Sequence, residues 1–421
     1  ASMSGVFYGW WIVLAVSLIH FWGAGTAFYS FTAFFNPMVA EFNWSYAGTS
    51  LAMSFRSMET GIAAPIVGTL TDRFGPRRLV FMGSILAGLC FVLLSRVNSL
   101  GGFYFYFILM SIGTSLCFTV PGYTAIANWF DKKRGIALGV SLAAIGVSGM
   151  LIPAMNWVIA RYDWREAMVV GGVGMWVVGI PASLALRHRP EDYGYAVDGI
   201  GGGRQSGPAS RVPLAEGALP FGFGTREAMK TGVFWLIAIG ATVASAGISA
   251  VSVHVMPALI SVQIARRTAA SLSAIVIVSS AAGRLGFGWL SDRISKKYLF
   301  GVALLMEGAG LLVFANTHSL VQVVVFAVLF GPGYGGVAIM KLTMQGEYFG
   351  RRSFGSINGL LSGIHTVGTI TGPVLAGLIY DARGSYSLAW LVLGVAILAA
   401  VPLLVTAGNP LGSRAQGAET P

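Results

Sequence analysis

One arginine stands where an arginine is costly. Arg284 lies about two-thirds of the way along residues 272–290, a run otherwise rich in Ser, Ala, Val, Ile and Gly. If that run crosses a membrane, holding a guanidinium inside it costs at least ~2.5–3.5 kcal/mol, so a polar cavity must receive it. Neither end of the run is near enough for easy snorkelling. No acid lies within one turn, because Ser280 and Ala281 occupy the preceding positions. A planar cation with several donors grips a carboxylate through two hydrogen bonds. The competing reading is a structural salt bridge to Glu59 or Glu307.

Further polar residues sit in apolar surroundings. His254 is near the end of the run 231–257 and can donate to a carboxylate or take up a proton near neutral pH; a satisfied interfacial histidine is the alternative. Tyr29, Tyr123, Asn156 and Tyr334 are candidates for lining a cavity, or for ordinary packing. Pro121-Gly122-Tyr123 and Gly331-Pro332-Gly333-Tyr334 place a tyrosine beside residues that let a helix flex. Arg56 and Glu59, three apart, can pair as a gate or as a structural bridge. Glu59 and His254 are the proton-coupling candidates, while Lys341 and His365 are further polar positions. We find no catalytic cluster, nucleotide-binding loop or metal-ligand spacing, so neither an enzyme nor a cofactor is expected.

These residues must be positioned by helices in lipid. The chain of 421 residues is 55% hydrophobic and only 10% charged, with a mean hydropathy of +0.73. Soluble domains carry about 25% charged residues, so most of this chain has no water to face. The 57 glycines fall inside apolar runs, where small residues let membrane helices approach. Cys90 and Cys117 also lie in such runs and make no disulfide framework. Ala1-Ser2 ahead of Met3 reads as an addition. No cleavable leader is expected, because the first apolar run follows no basic residue and many more spans succeed it.

A crossing needs roughly 20 residues. Twelve segments qualify: 10–35, 47–71, 78–96, 101–128, 136–160, 167–187, 231–257, 269–291, 298–316, 320–346, 354–380 and 386–407. The polar, Gly- and Pro-rich stretch 188–230 reads as a linker. The expected organisation is therefore a six-helix bundle over 6–187, the linker, a second six-helix bundle over 231–407, and a tail over 408–421. Of 27 Lys and Arg, 18 fall in the loops after even-numbered segments, the linker and the tail, and six in the opposite loops. This bias predicts that both termini and the linker are cytoplasmic and Lys341 lies near that interface. It also accounts for the net charge of +11 without nucleic acid.

The halves repeat. Gly68-Thr69-Leu70-Thr71-Asp72-Arg73 is matched by Gly288-Trp289-Leu290-Ser291-Asp292-Arg293, and the same offset relates Gly135 to Gly355, Gly139 to Gly359 and Pro153 to Pro373. Internal repetition of this kind is a mark of secondary transporters, whose halves rock about a central site. In the first copy, Asp72 can pair with Arg73 or Arg77, or lie against a helix N-terminus of the other half, a favourable place for negative charge. Such a contact would be a latch that breaks as the carrier turns; the alternative is a topology anchor. Asp292 and Arg293 have the same two readings.

At these residues the sequence resembles a known family. Gly68 through Arg78 resembles the signature between helices two and three of the major facilitator superfamily, and Gly288 through Lys297 its C-terminal copy. The resemblance extends over residues 6–407 and implies an all-α membrane protein, twelve transmembrane helices in two pseudo-symmetric halves. Within the superfamily the chain is similar to the monocarboxylate transporters and the related oxalate/formate exchangers. The residues that carry this are Tyr8-Gly9-Trp10-Trp11, Tyr29-Ser30-Phe31-Thr32-Ala33-Phe34-Phe35, Asn128 through Gly135, and Arg284. The resemblance implies that Arg284 holds the substrate anion. Two departures matter. Human-type members carry a lysine in helix one and an aspartate one turn before the helix-eight arginine, both assigned to proton coupling; here Tyr29 and Ser280 stand there. The exchangers hold a dianion with a second cation in helix eleven, where this chain has His365.

The expected activity is proton-coupled symport of a small monocarboxylate, L-lactate, pyruvate or similar, across the inner membrane by a carrier complete as a monomer. Organic-anion exchange and a non-transporting sensor or scaffold are the alternatives.

Overall fold

Peptide groups in hydrocarbon can bond only to one another, so a chain that crosses repeatedly without closing a barrel must do so as helices. The computed structural model describes residues 6–199 and 222–410 except residues 30, 45, 263, 265, 407 and 409. Some side chains within 29–57 and 263–274 also lie outside the described residues, that of Tyr29 among them.

The first series of elements is α1 (Gly9–Gly23), a π-helical turn (Ala24–Tyr29), α2 (Phe31–Phe42), α3 (Tyr46–Phe74), α4 (Pro76–Leu94), α5 (Leu100–Cys117), α6 (Thr119–Trp129), α7 (Arg134–Val147), a 3-10 turn (Ser148–Met150), α8 (Leu151–Arg161) and α9 (Trp164–Ala185). The second is α10 (Thr225–Met229), α11 (Gly232–Ser261), α12 (Arg266–Ser291), α13 (Lys296–Ala315), α14 (Leu320–Phe349), α15 (Phe354–Arg383) and α16 (Ser387–Val405). Among the described residues, the longer helices and their continuations form twelve rods, matching the twelve expected segments. Ten are long and apolar enough to cross a membrane on composition alone. The other two, α3 and α12, carry Arg56, Glu59 and Arg284 in their interiors.

Local chemistry explains the ends and the breaks. Ser99 caps α5 by accepting from the Gly102 amide at 3.2 Å, and Thr231 caps α11 by accepting from Phe234 at 3.3 Å. The fourth rod breaks at Phe118 (φ −92°, ψ −121°), three residues before Pro121, which has no N–H for the Cys117 carbonyl. Pro332 does not have this effect, and α14 continues through it.

Contacts divide the chain into two compact units, one of residues 1–225 with 349–359, the other of 226–348 with 360–421. In the first, α4 packs between α5 and α9, and α9 also packs on α1; in the second, α13 packs on α16, and α16 also on α11. The third and sixth rods of each half therefore pair alike, the packing counterpart of the sequence repeat. Phe81, Met82, Ile85 and Leu89 form an exposed stripe on α4 while Val80, Gly83, Ala87 and Phe91 are buried, which gives the helix one face for lipid and one for protein.

Small residues set the helix spacing. A Cβ on Gly172 would lie 2.6 Å from the Gly88 carbonyl oxygen, and one on Gly113 would lie 2.6 Å from the Ala87 amide nitrogen. Backbone cannot yield as a flexible side chain does, so Gly172→Leu should force α4 and α9 apart. We expect a loss of about 1–3 kcal/mol, the usual cost of overpacking, read as a melting temperature several degrees lower in detergent. Gly101→Ala is the control: its Cβ would meet nothing within 4 Å, and it should leave the melting temperature unchanged or slightly raised.

Candidate functional site

The second unit brings Arg284 and Tyr334 together, and glycines are the reason. A Cβ on Gly283 would lie 2.4 Å from the Pro332 carbonyl oxygen, and one on Gly335 would lie 2.1 Å from that of Ser280. α12 and α14 thus touch backbone to backbone, and Tyr334 falls beside Arg284. The Arg284 Nη2 donates to the Tyr334 hydroxyl at 3.1 Å, and the guanidinium carbon lies 5.2 Å from the ring centroid. Arg284 is only 4% exposed. The glycines flanking Pro332 therefore act as a contact surface within a continuous helix, where the sequence suggested a flexible point.

Glu307 is not the salt-bridge partner of Arg284. It is fully buried in α13, and neither carboxyl oxygen has a hydrogen-bond partner. Its surroundings are close-packed: a Cβ on Gly247 would meet its Oε1 at 3.3 Å. His254 has both ring nitrogens engaged, Nδ1 with the Tyr386 hydroxyl at 3.2 Å and Nε2 with the Pro373 carbonyl at 3.0 Å. That arrangement fits the satisfied interfacial histidine; binding a carboxylate through the ring would require one of these bonds to break. Lys341 is half-buried and donates to the Ser362 hydroxyl at 3.3 Å, on the same helix as His365.

In the first unit Arg56 and Glu59 attract each other electrostatically, but among the described residues they form no hydrogen-bonded ion pair. Arg56, 4% exposed, instead donates to the Ala27 carbonyl at 2.5 Å, and its guanidinium carbon lies 3.5 Å from the Phe28 ring centroid. Both partners belong to the π-helical turn, where the hydrogen-bond ladder changes register and a carbonyl becomes available. Glu59 turns to α5, its Oε2 accepting from Ser111 at 2.6 Å and Ser115 at 3.2 Å, while Oε1 has no partner.

Tyr123 is buried on α6 with its ring edge-on to His20, centroids 5.3 Å apart. His20 was not singled out from the sequence. It is fully buried on α1, with Nδ1 2.9 Å from the Ser141 hydroxyl and Nε2 unpartnered. Its signal was the same as that of Arg284, an ionisable residue inside an apolar run. Asn156 is exposed on α8 and joins neither cluster, and the Tyr29 side chain lies outside the described residues.

The signature segment is resolved into distinct roles. Asp72 accepts from the amides of Gly355 and Ser356 at 2.9 and 2.8 Å and from the Ser356 hydroxyl at 2.6 Å. A carboxylate thus meets the first turn of α15, where backbone donors point outward and the helix dipole favours negative charge. The approach depends on Gly68, whose Cβ would lie 2.2 Å from the Gly355 carbonyl oxygen. Arg73 and Arg77 are exposed and form no ion pair with Asp72. In the second copy Asp292 is half-buried, and Arg293 folds back to donate to the Trp289 carbonyl at 3.0 Å. Its neighbour Lys296 is ion-paired with Glu347.

Replacing Asp72 by Asn removes the charge that faces the α15 N-terminus and weakens three hydrogen bonds. The expected loss of about 1–2 kcal/mol should appear as roughly ten-fold faster hydrogen exchange over 354–360, with exchange in α13 unchanged.

Comparison with known proteins agrees with this architecture. A family model described as Major Facilitator Superfamily matches residues 13–263 and again 238–420. Monocarboxylate transporter 13 of Rattus norvegicus is 27% identical over 407 residues, covering 95% of this chain and 89% of its own. Monocarboxylate transporter 12 of Mus musculus is 25% identical over 418 residues, covering 93% and 83%. Among solved structures, a proton:xylose symporter superposes with a TM-score of 0.74 at 15% identity over 97% of this chain and 99% of that one. The E. coli fucose:proton symporter gives 0.69 at 11% identity over 94% and 97%. The chain is a membrane transporter that belongs to the major facilitator superfamily and is related to the monocarboxylate transporters.

Proposed function

We propose that this protein moves a small monocarboxylate together with a proton across the cytoplasmic membrane by alternating access, with both termini and the linker on the cytoplasmic side. The observation that carries the reading is Arg284, nine-tenths buried or more on a membrane helix and hydrogen-bonded to Tyr334. A guanidinium and a phenol side by side offer a carboxylate two kinds of donor in one place. The names of the curated relatives point to the same substrate class.

Proton coupling follows from the energetics of the cargo. A lone carboxylate entering against a negative-inside potential costs about 2.3 kcal/mol per 100 mV; a proton carried with it makes the step electroneutral. Glu59 is the better supported of the two proton candidates, because one of its oxygens has no partner while both nitrogens of His254 are engaged. Protonation comes first, the carboxylate then joins Arg284, and the neutralised carrier turns. No cofactor enters the cycle, and a single chain supplies every group. One observation favours organic-anion exchange as a second reading: Lys341 reaches Ser362 on α15, adding a cation near His365.

Uptake of labelled L-lactate into proteoliposomes with an alkaline interior tests the proposal. We expect accumulation that a protonophore collapses and that Arg284→Ala abolishes. Tyr334→Phe, which removes one donor to a charged ligand, should raise KM about ten-fold. No accumulation by the wild type, with exchange of another preloaded anion intact, would overturn symport in favour of exchange. For Glu59→Gln the expected outcome is loss of the response to the pH gradient with lactate counterflow retained; gradient-driven uptake at wild-type level would remove Glu59 from the proton path.

A further inference from the structure

A cleft of about 610 Å³ opens at the basic end of the first unit, and none of the residues assigned to the substrate site lines it. Arg73 lines it from the end of α3, Arg77 and Arg78 from the first turn of α4, and His188 and Tyr193 from the segment after α9. The turn that presents the arginines is held in place: Gly75 has φ +81°, and a Cβ there would lie 3.3 Å from the His188 ring. The Tyr193 ring is held from behind by the Arg187 guanidinium at 4.5 Å.

Among the described residues, Arg73, Arg77 and Arg78 form no ion pair, and no carboxylate lines the cleft. Asp72 is committed to Gly355 and Ser356, and Glu191 to Arg351 at 2.8 Å. Burial, with Arg189 beside it, holds the His188 imidazole below its ordinary range despite Asp192 and Glu191, so its neutral form is favoured. Arg77 and Arg78 also occupy a helix N-terminus, where the dipole already favours an anion. These two arginines at the positive end of α4 are unfavourable unless an anion sits beside them, while Arg73, in the last turn of α3, adds a third cation to the same cleft.

The remaining wall decides which anion. Phe74, Phe81 and Leu184 line the same cleft and are exposed, with Phe81 continuous with the lipid-facing stripe of α4. Cations at one end and an apolar wall at the other match a phosphate that carries acyl chains. The charge distribution along the sequence assigns this end to the cytoplasmic leaflet, where anionic lipids attract basic clusters. We propose that the cleft binds the phosphodiester headgroup of an anionic phospholipid, gripped by Arg73, Arg77 and Arg78, with its chains along Phe81 and Leu184. The Asp72 contact with α15 begins one residue away from Arg73, so occupancy also steadies the turn that positions it.

Native mass spectrometry of the purified full chain, with phosphatidylglycerol or phosphatidylcholine of identical acyl chains, tests this. We expect phosphatidylglycerol to be retained roughly ten-fold better, and the preference to vanish in Arg77→Gln/Arg78→Gln but persist in Arg96→Gln at the opposite end. Hydrogen exchange on the wild type gives a reading independent of variant folding: phosphatidylglycerol, unlike phosphatidylcholine, should protect 76–82 and 188–193. Equal retention of the two lipids, or protection confined to other segments, would overturn the proposal. So would inorganic phosphate that reproduces the protection and displaces the lipid completely, since the occupant would then be free phosphate.

Discussion

A peptide group in hydrocarbon has no water to bond to, and each departure from the helical ladder must find a partner within the protein. The π-helical turn at Ala24–Tyr29 changes the register of the first rod, and the Ala27 carbonyl there is taken by Arg56. The break at Phe118 comes where Pro121 leaves the Cys117 carbonyl without its donor. Both irregularities lie in the first unit near the polar side chains His20, Tyr123 and Arg56. At the π-helical turn, irregular backbone and a costly side chain meet each other's need, since Arg56 donates to the Ala27 carbonyl.

The same scarcity of partners governs the ionisable groups. Arg284 has the Tyr334 hydroxyl and is nearly closed off by the packing of α12 on α14. Glu59 has two serine hydroxyls on one oxygen and nothing on the other. Glu307 has no partner for either oxygen. These are unequal states of satisfaction, and a carrier needs groups whose protonation or ligation can change. A fully paired network would hold one state too well to turn over.

Glycine links this chemistry to the fold. Gly283 and Gly335 bring two helices close enough for a tyrosine to reach an arginine, and Gly68 does the same for Asp72 and the first turn of α15. In the absence of a hydrophobic drive between helices in lipid, close backbone approach supplies the dispersion contacts that hold them together. Positions that read as flexible points in the sequence are thus contact points in the fold. Local composition records that a residue is small; the neighbour that requires it to be small belongs to another helix.

Hydropathy and charge carried much of the architecture in one dimension. The twelve segments, the repeat that links Asp72 to Asp292 and the exceptional cost of Arg284 were all legible, because insertion into lipid acts on each run separately. Pairing was not. Whether Arg56 turned to Glu59 or to Ala27, whether His254 stood open or capped by Tyr386 and Pro373, and which hydroxyl met Arg284 depended on rods distant in sequence. His20 showed the same signal as Arg284, and only its place beside Ser141 and Tyr123 gave that signal a setting. The sequence by itself determined what must be buried in the membrane and which burials are expensive, since those are properties of single segments. The tertiary structure alone decided how each expensive group is satisfied, since a hydrogen bond is a property of two positions and their separation.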